Sequence, residues 1–182
     1  MTLSHTHTLR SGAAAWLRPW QPDDDVDALT SLIHAAYAPH AARGLRYWGS
    51  HQSADDTRKR LASGLAWGVW VNGALAGTIT LRGPQPASDV PLYRESDVWS
   101  LTQFCIAPGH QGSGLGRWVH DRVAEVARLE GARKLALDTS EDAHGLISMY
   151  EAWGYGVVGH CDWRPLTNYR SVLMAKTLHP RA

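Results

Sequence analysis

The residues whose types and spacing can do chemistry are concentrated in Phe104 to Gly116, FCIAPGHQGSGLG. An apolar run meets Pro108, passes into glycines at 112, 114 and 116, and continues at once into an amphipathic pattern. Proline cannot donate to a strand ladder, so the run stops there. Glycine lets backbone approach a ligand closely. The first N–H groups of the following helix lack intrahelical acceptors and carry the positive end of its dipole. Such a place binds phosphate. The structural alternative is a glycine turn that merely caps the helix.

Two phosphate-binding patterns fail against the letters. A Walker A loop ends in Gly-Lys-Ser/Thr, whereas Gly116 is followed by Arg117 and Trp118. A GxGxxG dinucleotide fingerprint begun at Gly112 needs glycine at 117, and it belongs after a first strand rather than mid-chain.

The elements that must position this segment can be read outward from it. Residues 98–106 form the strand that enters it. A helix begins near Gly114, with Leu115, Val119, Val123 and Val126 as its apolar stripe and Gly131 as its stop. Residues 134–138 then make a short strand covered on both faces, which completes a βαβ unit. A helix over about 143–153 and strands near 155–161 and 170–178 follow.

Upstream, a strand over 16–20 leads through Asp23, Asp24 and Asp25 into a helix that should end before Pro39. Residues 40–52 read as irregular. Ser53 with Asp56 is a capping-box signal for a short helix. Asn72-Gly73 joins two antiparallel strands, 67–71 and 74–81, through a type I′ turn. Prolines at 84, 86 and 91 make 82–96 a surface loop. Strands and helices mixed around one crossover argue for a mixed α/β sheet.

Composition removes several classes of function. The 182 residues suit one domain, with 1–14 as a flexible tail and 15–182 as the folded unit. A net charge of +1 lacks the basic footprint of a nucleic-acid binder. Neither a signal peptide nor a membrane anchor is recognisable, so a cytoplasmic location is expected. Cys105 and Cys161, the two cysteines, form no CxxC pair, and the ten histidines show no ligand spacing. No metal is expected. Cys105 beside the glycine segment raises an acyl relay, yet without an activating partner it reads as a buried thiol.

The order Gln111-Gly112-Ser113-Gly114-Leu115-Gly116 resembles the Q/RxxGxG/A signature of the GNAT acetyltransferases. Ile106, Ala107 and Pro108 precede it with the family's spacing. Downstream MYEAWGY, Met149 to Tyr155, resembles the LYxxxGF element, and LRPWQPDDDVDAL resembles the family's opening. Together they span nearly the whole chain. The resemblance implies a mostly antiparallel sheet of six to seven strands, splayed at a central parallel pair and flanked by about four helices. It implies transfer of an acetyl or longer acyl group from acetyl-CoA to a primary amine of a small acceptor, by direct attack in a ternary complex. A homodimer is possible.

The same resemblance assigns roles to residues. Gln111 to Gly116 would grip the CoA pyrophosphate through backbone N–H groups. Phe104 and Ile106 would pair with pantetheine, and the Ile106 N–H would face the developing oxyanion. Tyr150 matches the position of the acid that protonates the leaving thiolate, against the alternative that it only packs. An acceptor amine must lose a proton first. Asp97 is the favoured base, with Glu95, His144, His160 and Tyr169 as others. Ala143 stands where many members carry asparagine, so Ser140 or His144 would replace that contact. Tyr47, Trp48, Trp67, Trp70 and Trp99 either line an acceptor site or complete the core. A non-catalytic acyl-CoA sensor on the same scaffold is the alternative function, and a nucleotide-binding oxidoreductase a more distant one.

Overall fold

Residues 4–179 are described by a computed structural model. Eight strands form one sheet in the order β1-β2-β3-β4-β5-β6-β8-β7. The first five are β1 (His5–Thr8), β2 (Ala14–Pro19), β3 (Leu65–Val71), β4 (Ala74–Arg82) and β5 (Val98–Ile106). The remaining three are β6 (Lys134–Ser140), β7 (Gly156–Asp162) and β8 (Arg170–Thr177). Every pairing is antiparallel except β5 with β6. Five α-helices among the described residues accompany them: α1 (Val26–Ala41), α2 (Ala54–Ala62), the one-turn α3 (Pro91–Arg94), α4 (Leu115–Leu129) and α5 (His144–Ala152).

The β3–β4 hairpin turns where expected. Asn72 and Gly73 take φ of 48° and 82°, the left-handed pair a type I′ turn requires. The Asp25 carboxylate caps α1 through the Ala28 N–H, and Ser53 with Asp56 makes a full capping box on α2. The stripe on α4 is buried throughout, Leu115, Val119 and Val123 completely, against Leu17, Val69, Ile79, Leu135 and Met174. Leu29, Ile33 and Leu61 from α1 and α2 gather with Cys105 in a second cluster.

Four expectations change. The segment 1–14 is not all tail: His5–Thr8 pairs with β2 as an edge strand, Leu9 is buried, and His7 stacks on Trp118 at 5.1 Å. Residues 1–3 of that tail lie outside the described residues. The added edge strand brings the sheet to eight strands instead of six to seven. Helix α1 also runs through Pro39 to Ala41. Only the bond to the Ala35 carbonyl is lost, which a final turn tolerates. The loop 82–96 carries α3, with Pro91 at its first position. No helix among the described residues is long and apolar enough to cross a membrane.

His120 lies fully buried inside α4, its Nε2 2.9 Å from the Tyr155 hydroxyl and its Nδ1 2.9 Å from Asp121. Burial outweighs the carboxylate and holds its pKa below the ordinary 6.5. The unfolded chain therefore binds this proton more readily, and stability is full above about pH 6.5 and declines as pH falls through the folded value. Urea midpoints measured across that range should fall, and His120→Gln should remove part of the slope. An identical slope in the variant would contradict the buried neutral imidazole.

Candidate functional site

Strands β5 and β6 pair only at Val98, Trp99 and Ser100 against Lys134, Leu135 and Ala136. Beyond Ser100 they part, and a cavity of about 780 Å³ opens between them. The cause is local to β5. Thr102 faces Thr80, but Cys105 faces Thr78, so Gln103 and Phe104 together oppose Ile79 as a bulge. Gln103 takes φ of 49°, rare for a residue with a Cβ. The extra residue also explains why Leu101 and Ile106, five apart, reach the same core cluster.

A buried polar chain holds the bulge. Arg60 Nη1 donates to Gln52 Oε1 at 2.6 Å, and Gln52 Nε2 donates to Gln103 Oε1 at 3.0 Å and to Thr57 Oγ1 at 2.7 Å. Arginine can only donate, so the orientation of both amides follows from it. Gln103 Nε2 is left buried without an acceptor among the described residues.

The glycine segment follows β5 through a 3-10 turn, Pro108–His110. Gly112 and Gly114 take φ of 72° and 86° in open space, so conformation and not room requires glycine there. Gly114 caps α4 without a side chain. Ser113 Oγ donates to the His110 carbonyl at 2.6 Å and accepts from the Leu115 N–H at 3.3 Å. Among the described residues, the N–H groups of Gly112, Ser113, Gly114, Gly116 and Arg117 meet no acceptor in the chain. Gln111, Gly112, Gly114 and Gly116 line the cavity. Leu115 does not: its side chain is fully buried as a core anchor, so only its backbone belongs to the loop.

The Ala107 N–H bonds the Ala76 carbonyl at 2.8 Å on β4, so strand alternation turns the Ile106 N–H and C=O away from β4, toward the gap. Of the backbone contacts expected at Phe104 and Ile106, both carbonyls are already engaged. Tyr37 hydroxyl donates to the Phe104 carbonyl at 3.3 Å, and Gln111 Nε2 donates to the Ile106 carbonyl at 3.0 Å. The Ile106 N–H faces the opening.

Tyr150 lines the cavity, its ring edge-on to Trp153 and Tyr155. Burial pushes its pKa above the ordinary tyrosine value, so it stays protonated. Its hydroxyl has no partner among the described residues. Asp97 is not brought to the cavity. It lies at the opposite end of β5, where its carbonyl accepts from the Arg133 and Lys134 N–H groups and its charge acts on Lys134. Glu95 is salt-bridged to Lys134 at 2.8 Å. His144 and His160 are exposed and away from the cavity wall, whereas Tyr169 lines it. The Ser140 hydroxyl is occupied by the Asp142 N–H at 3.2 Å, and neither Ser140 nor His144 reaches the cavity.

The aromatic residues divide. Tyr47 and Trp48 line the cavity, with the Tyr47 hydroxyl 2.9 Å from Thr139 Oγ1 and its ring 4.9 Å from Tyr169. Trp67 and Trp99 pack in the main core, and Trp70 stacks beside Trp20 with the Arg18 guanidinium 3.8 Å over its ring.

Among the charged residues in the cavity wall, sequence reading gave no site role to Arg60, Arg82 and Asp138. Asp138, on β6 across the gap, accepts from the Tyr93 hydroxyl and from Trp163 Nε1, each at 2.8 Å. Burial raises its pKa above the usual carboxylate range. A carboxylate ending the apolar run Leu135-Ala136-Leu137 was the available signal. Arg60 and Arg82 give none, because arginines on a short polar helix and at a strand end read as solvated. Among the described residues no group of His, Cys, Asp and Glu is arranged to hold a metal ion.

Comparison with known proteins adds to this geometry. The model of the acetyltransferase (GNAT) family matches residues 27–155. Probable N-acetyltransferase family 8 member 5 of Mus musculus is 32% identical over 107 residues, 58% of this chain but only 45% of that protein. The chain thus matches about half the length of this relative. S-(2-succino)cysteine N-acetyltransferase of Bacillus subtilis (strain 168) is 27% identical over 145 residues, 76% of this chain and 82% of that protein. The crystal structure of the GNAT domain of S. lividans PAT superposes with a TM-score of 0.71 at 19% identity, over 96% of this chain and 97% of that one. That likeness concerns the fold.

Cys105 lines the cavity, yet burial pushes its thiol up to about 12, as it does the thiol of Cys161. At pH 8 only about one thiol in ten thousand would be thiolate. Ellman's reagent should therefore label the folded chain orders of magnitude more slowly than the urea-unfolded chain. Fast labelling of the folded chain would point to an activated thiol.

Proposed function

The chain belongs to the acetyltransferase (GNAT) family and is an N-acetyltransferase, and on that premise we propose that it moves an acetyl group from acetyl-CoA to a primary amine of a small acceptor, by direct attack. The observation that carries this reading is one continuous cavity, which joins the free N–H groups at the start of α4 to the Tyr150 hydroxyl and the Asp138 carboxylate. The relative from Bacillus subtilis is named for a cysteine derivative, which favours a small amine over a macromolecule.

In this reading the amides of Gly112, Ser113, Gly114, Gly116 and Arg117, without acceptors among the described residues and at the positive end of α4, hold the pyrophosphate. Acetyl-CoA supplies a thioester carbonyl, activated by its leaving thiolate. The Ile106 N–H donates to the oxygen of that carbonyl as it gains charge. Asp138 takes the proton that the acceptor ammonium must lose. It still has lone pairs beyond those used by Tyr93 and Trp163, and its raised pKa makes it the stronger acceptor. Asp97 lies outside the cavity wall, so the base role passes to Asp138. Tyr150, protonated and without a competing partner, gives its proton to the departing sulfur.

Two variants test the parts separately. Gly116→Leu should weaken acetyl-CoA binding in calorimetry by at least about tenfold, because the side chain enters the space of the diphosphate. A Cβ there meets only Ile106 at 3.5 Å and Phe104 at 3.9 Å, so the fold should survive. Unchanged affinity would remove the pyrophosphate assignment. Tyr150→Phe should lower kcat by about a hundredfold while the KM for acetyl-CoA hardly moves. An unaffected kcat would leave Tyr150 a packing residue.

A further inference from the structure

The cavity holds a charge imbalance that the acetyl transfer described above does not use. Arg60 and Arg82 both line it, and among the described residues neither has a carboxylate within 4 Å. Each feels the charge of Asp138, and Arg60 feels that of Arg82. Two cations thus face one carboxylate across an open space without pairing to it. Burial pulls the pKa of both arginines down, as it does wherever a cation has lost water without gaining a counter-ion.

The donors are also incompletely used. Arg60 bonds Gln52 and, through Nη2, Thr102 Oγ1 at 2.9 Å, with its guanidinium 4.9 Å over Trp48. Arg82 Nε is buried with no acceptor among the described residues. Gln103 is 2% exposed, and its Nε2, which must point away from Gln52, likewise has none. Buried donors nearly always find acceptors in native proteins. Two such side chains beside the unpaired charge of Arg60 on one cavity wall describe a place built for an anion.

The anion can belong to the acceptor or to the acyl group, and position along β5 separates the two. Arg60 binds Thr102, and Arg82 pairs across the sheet with Ser100. Those residues are four and six positions before Ile106, about 13 and 20 Å of strand. The glycine loop lies beyond Ile106 at the other end. An acyl group starting at the Ile106 N–H is short against that span, whereas an acceptor entering from the far side meets the arginines first.

We propose that the acceptor is an amino carboxylate, whose carboxylate is bound by Arg60, Arg82 and Gln103 Nε2 while its ammonium turns to Asp138. This deepens the acetyltransferase reading and rests on it. A guanidinium fork matches a carboxylate in two parallel hydrogen bonds, which makes arginine suited to the task. The bound carboxylate neutralises the spare cation, and the ammonium nitrogen is held beside the base.

The test measures thiol release from acetyl-CoA with α-amino acids, dicarboxylic amino acids and ω-amino carboxylates, each beside its own carboxamide. The best carboxylate should exceed its carboxamide at least about tenfold in kcat/KM, the scale of a lost charged hydrogen bond. Arg82→Gln should abolish that preference by raising the acceptor KM, and Arg82→Lys should restore part of it. Equal use of carboxylate and carboxamide would overturn the proposal while leaving the transferase intact. So would a preference for succinyl-CoA over acetyl-CoA, which would assign the arginines to the acyl group. If no amine releases thiol, the transferase reading fails, and melting temperatures measured with the same panel decide the anion site. Stabilisation by carboxylates but not carboxamides supports it, and no difference refutes it.

Discussion

The site depends on one residue held in an unfavourable conformation. Gln103 adopts a left-handed backbone in the middle of β5, inserts one extra residue against β4, and ends the pairing of β5 with β6 after three positions. A single left-handed residue with a Cβ costs on the order of 1–3 kcal/mol and persists only when its surroundings over-determine it. Here Gln52, Thr57 and Arg60 do so from α2 and the segment before it. The opening between the strands, the outward turn of the Ile106 N–H and the access to Asp138 all follow from that bulge.

The gap then receives groups from both directions. From one side, α4 delivers unpaired amides, because its stripe of Leu115, Val119 and Val123 is locked into the main core and cannot slide. From the other, Tyr37 and Tyr47 from α1 and the turn after it close over the Phe104 carbonyl and Thr139. Packing fixes the amides while burial tunes the titratable groups. Tyr150 is kept protonated, Asp138 becomes more basic and Cys105 is silenced, each chiefly through desolvation.

What was legible in the sequence was local. The Asn72-Gly73 turn, the Ser53 capping box, the α4 stripe and the glycine segment each declare themselves within a few residues. The βαβ crossover followed from their order. Less legible was whatever depends on partners far away in sequence. Pro39 reads as a stop, yet α1 absorbs it in its last turn. His5–Thr8 lacks apolar periodicity and becomes a strand only because β2 offers an edge. Asp97 was a reasonable base by its nearness to β5, but the strand runs the other way and carries it out of the cavity. Asp138 and Arg60 matter because the sheet and α2 bring them to one space, 78 residues of chain apart by their numbers.

The most direct test of the account is an amide NMR titration with CoA. Gly112, Ser113, Gly114, Gly116 and Arg117 should show the largest shifts in the chain, and Ile106 should follow only when the acetylated coenzyme is used. If those resonances stay in place while others move, the coenzyme lies elsewhere, and the site built around the Gln103 bulge is not the one that works.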